Sequence, residues 1–164
     1  MFRAAQALSR PLTRQSTFAA PRRSLITIKK PLYTAHATAR GKGRDGEVVL
    51  NDDDGLKLRL GTPKAFGGLG DGHDPEQLLA MGFAACFLTS LQLAAGRVGK
   101  TREVGTAVVH AQVHVGEAVE VGDYGLAVDI QVEGVDQELV NAGRELCPYS
   151  RAMEQGAVVN IRKA

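Results

Sequence analysis

The sequence predicts an α+β fold, and three observations predict it. Strand-like segments come first, one long uncharged helical stretch sits mid-chain, and two alternating segments with a late helix follow, without regular βαβ alternation. At 164 residues the chain is long enough for one domain, or one domain with a tail. It is 44% hydrophobic and 23% charged, an ordinary globular composition. Aromatics make up only 5% with no Trp, which argues against a stacking platform for single-stranded nucleic acid.

Leu32–Thr38 reads as the first strand, and Gly41-Lys-Gly-Arg-Asp-Gly46 as a turn. Glu47–Leu50 and Leu56–Leu60 flank the acidic turn Asn51–Gly55, a hairpin signal. Phe66-Gly-Gly-Leu-Gly-Asp-Gly72 reads as a flexible connection, because it lacks both the P-loop ending and the dinucleotide-binding spacing. Asp74-Pro75-Glu76-Gln77 then opens a helix, with Asp as N-cap, Pro at the first position and Gln at the third. No charge follows between Gln77 and Gly96. That length suits a bilayer, but Thr89, Ser90, Gln92 and Gly82 make the stretch only moderately apolar, so a helix buried on nearly all sides in protein is expected. Covering it exceeds what a small domain supplies alone, so a packed dimer is expected and stable membrane insertion is not. Val108–Val115 and Leu126–Val132 alternate with period two, a helix follows from Asp136 to about Leu146, and Val158–Ile161 reads as a last strand. Pro148 disfavours helical geometry at Cys147, which places that cysteine at a frayed, mobile end.

The net charge of +2 hides an asymmetry. Residues 1–44 carry ten Lys/Arg and no acid, whereas the remainder carries ten against all eighteen acids, a net of −8. Residues 1–24 are rich in Arg, Ser and Ala, and on a helical wheel Arg3, Arg10 and Arg14 oppose Ala5, Leu8 and Leu12. This predicts a mitochondrial transit peptide followed by a domain over 25–164. A basic arm for nucleic acid is the other reading, and it fails if removal near Arg22–Arg23 takes off five Arg and leaves a chain at −3.

Two cysteines are too few for a stapled scaffold or a four-cysteine zinc site. Cys86 lies three turns into the long helix, past the reach of that helix's dipole, among Leu79, Phe83, Thr89 and Leu93. Burial there raises a thiol pKa unless a cation is brought in. A small core hydrophobe is one reading of Cys86. With Cys147 sixty-one residues on, a two-cysteine peroxidase is the other, one thiol attacking peroxide and the second resolving the sulfenic acid. His36, His73, His110 and His114 have no spacing that argues for a metal, since His110 and His114 lie about 13 Å apart on a strand.

Asp74-Pro-Glu-Gln-Leu-Leu-Ala-Met-Gly-Phe-Ala-Ala-Cys86-Phe and Cys147-Pro-Tyr-Ser150 resemble the organic hydroperoxide resistance family of the OsmC-like superfamily. Leu32-Tyr-Thr-Ala and Gly43-Arg44-Asp45-Gly46 carry the same resemblance, from about Leu32 to the C-terminus. It implies an OsmC-like fold with antiparallel sheets around the long helix, an intertwined homodimer and a thiol peroxidase for organic, fatty-acid-type hydroperoxides. No bound cofactor is implied; dihydrolipoamide or a lipoylated protein would be the reductant, which suits a matrix enzyme. By that resemblance Cys86 is the peroxidatic thiol, Cys147 the resolving one, Arg44 the cation facing the thiolate and Glu76 the carboxylate holding it. Phe66, Phe83, Phe87 and Tyr149 are candidates for an alkyl channel, with ordinary core as the alternative. Ten helical residues, about 15 Å, separate Glu76 from Cys86. One site therefore needs Arg44 to bridge the gap, a kink near Gly82, or a group from a partner subunit. Asp74, Lys42 and Arg151 depart from the family pattern. An OsmC-like lipid or small-molecule binding module, or an oxidant sensor without turnover, is the competing class.

Overall fold

A computed structural model describes residues 25–52 and 55–163; the expected transit peptide, residues 1–24, lies outside the described residues. The chain forms β1 (Ala37–Arg40), β2 (Glu47–Leu50), β3 (Lys57–Arg59), α1 (Pro75–Val98), β4 (Val108–Glu117), β5 (Tyr124–Glu133), α2 (Gln137–Leu146) and α3 (Pro148–Gln155). Two antiparallel sheets result, in the α+β order that the sequence predicts and with the antiparallel pairing that the resemblance implies: β1-β2-β3, and the long hairpin β4-β5. In the hairpin Val108 faces Glu133 and Glu117 faces Tyr124. That register puts Val109, Ala111, Val128, Ile130 and Val132 on one face, because residues two apart share a side of the pleat.

The helix α1 packs against this face and against α2. Asp74 caps it by accepting the Gln77 N–H at 2.8 Å, and Gly99 ends it in the left-handed conformation a glycine tolerates. Phe83, Phe87, Leu91, Ala94 and Ala95 form the core with Leu139 of α2. Burial on nearly all sides is not met within one chain: Met81 is 63% and Leu93 57% exposed on the far side.

Three other expectations are corrected. The first strand begins at Ala37 and not at Leu32, because β2 reaches only to Leu50, opposite Ala37; Leu32 is 97% exposed. Val158–Ile161 is not a strand; an isolated bridge from Ile26 to Ala157 is the one sheet contact there. The 66–72 loop is tightly folded: the N–H groups of Gly67, Gly68 and Gly70 bond back to Lys64, Pro63 and Thr62.

Candidate active site

Two sulfurs meet in the core. Cys86 Sγ on α1 lies 3.7 Å from Cys147 Sγ, and both are free thiols, Cys86 half-buried and Cys147 fully buried. The expected frayed end at Cys147 is absent. Pro148 does stop α2, as the sequence predicts, but it also occupies the first position of α3. Cys147 thereby closes one helix and caps the next. Its N–H bonds to Gly143 O at 2.9 Å, while its sulfur accepts the Ser150 N–H at 3.4 Å.

The two thiols differ electrostatically. Burial pushes the Cys86 thiol above its ordinary value, despite the Tyr149 N–H nearby. Burial alone would raise Cys147 as well. Hydrogen bonds from the Ser150 side chain and N–H, from Cys86 and from the Tyr149 N–H outweigh it and hold Cys147 below the ordinary thiol range. The sequence reading missed α3 and this role of Ser150. Its signal was the Cys-Pro step, which can start a helix as well as end one.

Arg44 and Glu76 form the second cluster. The guanidinium donates to both carboxylate oxygens, at 2.8 and 2.6 Å, and lies over the Phe66 ring at 5.2 Å. The hydrogen bond from Arg44 holds the Glu76 carboxyl below the usual carboxylate range, and Glu76 raises Arg44 in turn. Arg44 is set by the 3-10 turn Gly43–Asp45, and Glu76 by the first turn of α1. A cavity of about 390 Å³ opens here, lined by Arg44, Phe66, Glu76, Tyr124 and Leu126 among others. Neither cysteine lines it. Helix α1 runs unbroken past Gly82, so its first turn and Cys86 stay about 15 Å apart along the axis. Among the described residues no cation contacts Cys86.

The four aromatic candidates do not line one channel in a single chain. Phe66 sits at the Arg44 cavity, in edge contact with Tyr124 at 5.9 Å. Phe83 and Phe87 belong to the core. Tyr149 meets Phe83 edge-on at 5.6 Å, in space left by Gly82, where an added Cβ would lie 3.4 Å from the ring. The histidines all have polar partners: His110 faces Glu133, His114 Asp129, His36 Asp52 and His73 Gln77. Among the described residues no three metal-ligating side chains gather. What the sulfur pair can do is form one disulfide after one of its members is oxidised.

Residues 68–162 match the family described as OsmC-like protein. The organic hydroperoxide resistance protein of Xanthomonas axonopodis pv. citri is 40% identical over 147 residues, 85% of this chain and 100% of that protein. OhrB of Bacillus subtilis, an organic hydroperoxide resistance protein, is 37% identical over 79% of this chain and 96% of its own. Its crystal structure superposes with a TM-score of 0.65 at 34% identity, over 79% of this chain and 97% of that one. An organic hydroperoxide resistance protein from Legionella pneumophila superposes at 0.67 with 36% identity, over 80% and 96%.

Proposed function

Since the chain belongs to the OsmC-like family and has organic hydroperoxide resistance proteins among its relatives, we propose that it is a cysteine-based peroxidase for organic hydroperoxides. The observation that carries this is the 3.7 Å approach of Cys86 to Cys147, from different elements and sixty-one residues apart. The Cys86 thiolate attacks the terminal peroxide oxygen and the O–O bond breaks. The alcohol departs after taking a proton, leaving a sulfenic acid on Cys86. Cys147 then attacks that sulfur, forming the Cys86–Cys147 disulfide and releasing water. A fatty-acid-type hydroperoxide is the substrate class, and no bound cofactor takes part. A dihydrolipoyl group, free or on a lipoylated protein, supplies the two electrons that reopen the disulfide. The N-terminal composition supports a mitochondrial matrix address for residues 1–24, where such groups reside.

Cys86 needs a cation, because burial opposes its ionisation. Arg44 is the candidate, and its placement one helix end away supports a homodimer in which it reaches the partner's Cys86. The exposed apolar side of α1 at Met81 and Leu93, with Leu32 and Ile161, supports the same dimer. Glu76 then acts as a positioning residue, holding the guanidinium in one orientation.

The test is peroxide consumption with dihydrolipoamide as reductant, comparing an alkyl hydroperoxide with hydrogen peroxide. Turnover that favours the alkyl substrate and ends in a Cys86–Cys147 disulfide supports the reading. No turnover, with Cys86 inert to thiol reagents at neutral pH, gives precedence to a binding module.

A further inference from the structure

The two sulfurs are unequal in access and in support. Cys147 is 0% exposed, within the core cluster that holds Phe83, Phe87, Leu91 and Leu139, whereas Cys86 keeps part of its surface open. Cys147 Sγ is also the N-cap acceptor of α3, receiving the Ser150 N–H at the positive end of that helix.

We propose that a reducing dithiol opens the Cys86–Cys147 disulfide at Cys86, and that Cys147 leaves as a thiolate onto the first turn of α3. This rests on the peroxidase reading only for the origin of the disulfide. Thiol–disulfide exchange needs the incoming sulfur to reach the sulfur it attacks, and it expels the better-stabilised thiolate. Both requirements select the same direction. Attack at Cys147 would have to reach a sulfur that has no exposed surface. Attack at Cys86 meets the sulfur of the pair that keeps exposed surface in the single chain, and returns negative charge to a sulfur already hydrogen-bonded to Ser150. The direction of the two thiol pKa shifts, Cys147 down and Cys86 up, agrees with Cys147 as the leaving group.

The step balances. One thiolate of the dithiol bonds to Cys86 Sγ, the Cys86–Cys147 bond breaks, and Cys147 takes the electron pair. The second thiol, deprotonated, then attacks the reductant's own sulfur in this mixed disulfide. It closes a cyclic disulfide and frees Cys86 as a thiolate. The dithiol loses two electrons and two protons, and the protein gains them as two thiols.

The test uses the full chain oxidised with diamide, so that its outcome is independent of peroxide turnover, which is measured separately. After removal of diamide, brief exposure to 2-mercaptoethanol, a monothiol unable to cyclise, is followed at once by N-ethylmaleimide in guanidinium chloride, which opens the core so that any freed thiol is labelled, then digestion and mass spectrometry. The expected result is mercaptoethanol on Cys86 and maleimide on Cys147, at least about tenfold over the reverse pattern. The reverse pattern, or equal amounts of both, overturns the proposal. A second arm titrates thiolate absorbance in the Cys86→Ser chain. Cys147 half-ionised below the ordinary thiol value is expected, and a value at or above it removes the leaving-group argument. If diamide-treated protein behaves as expected while alkyl hydroperoxide is not consumed, the peroxidase reading fails and the asymmetry of the disulfide stands.

Discussion

The first turn of α1 and its fourth turn solve opposite problems. At the first turn Glu76 offsets the charge of Arg44 beside an open cavity, and no thiol is present. Three turns on, Cys86 and Cys147 sit among apolar side chains, and among the described residues no cation contacts Cys86. A helix is rigid at 1.5 Å per residue, so ten residues keep these two ends about 15 Å apart whatever the loops do. Each end is self-consistent: the carboxylate fixes the guanidinium, and the first turn of α3 fixes the sulfur of Cys147. What one chain lacks is the meeting of guanidinium and Cys86. The difference teaches that a long unkinked helix holds Glu76 and Cys86 apart within a chain, so that Arg44 must either span the gap or come from a partner.

The sharpest break in that comparison is Cys86→Ser. It removes the nucleophile and should lower alkyl hydroperoxide turnover at least about 1,000-fold, read as consumption in the presence of dihydrolipoamide. Retention of activity would make the fourth turn ordinary core. Arg44→Met should cost about 100-fold, the scale of losing one preorganised electrostatic group. Mixing the two variants then separates one chain from two. If Arg44 serves the partner's Cys86, subunit exchange regenerates one intact site per mixed dimer and restores about a quarter of wild-type activity. If both groups serve within one chain, mixing restores nothing.

Glu76→Gln addresses the same end through pH. The Glu76 carboxyl lies below its ordinary value because Arg44 donates to it, so its contribution to stability is complete above the ordinary carboxylate range near about 4.3 and is lost as pH falls below it. The difference in Tm between wild type and Glu76→Gln should therefore hold steady at neutral pH and shrink in acid. A gap independent of pH would show that the pair does not ionise as the geometry requires.

How much of this was legible in the sequence differs between the two ends. The first turn of α1 was plain: Asp74, Pro75 and Gln77 signal a helix start, and local rules sufficed because the cap bonds to residues three positions away. The strands β2, β4 and β5 were legible for the same reason, their alternation being fixed by the pleat. The pairing of Arg44 with Glu76 and the approach of Cys86 to Cys147 were not local. They entered the reading through resemblance, since tertiary packing brings together residues thirty-two and sixty-one positions apart. The environment of Cys147 was misread because Pro148 was weighed only as a helix stop. The first strand was placed too early because the strand-like composition of Leu32–Thr38 says nothing of whether a partner strand lies alongside within the chain.

Gly143→Ala sharpens the comparison from the side of the sulfur pair. An added Cβ there would lie 2.7 Å from Leu91 Cδ2, and Leu91 is fully buried next to the sulfur pair in the core. The helices α1 and α2 must then move apart or Leu91 must leave its rotamer, at about 2 kcal/mol. Chemical denaturation should report the loss, and the rate of Cys86–Cys147 disulfide formation should fall with it, because α2 carries Cys147. Loss of stability with an unchanged disulfide rate would mean that α3 alone positions Cys147.

The smallest effect belongs to the first turn. Asp74→Ala deletes the side chain that accepts the Gln77 N–H and should cost about 1 kcal/mol, or about 3 °C in Tm. Asp74→Asn keeps the acceptor and should restore the loss, which a purely electrostatic role of Asp74 toward Arg44 would not allow. Asp136 caps α2 in the same way, through the Leu139 N–H at 2.8 Å, so Asp136→Ala provides the control. If both alanine variants lose the same stability but only Asp74→Ala slows peroxide turnover, the added effect is displacement of Glu76, two residues along the same turn. Equal turnover in the two would confine Asp74 to capping and leave the orientation of Arg44 to Glu76 and the Gly43–Asp45 turn.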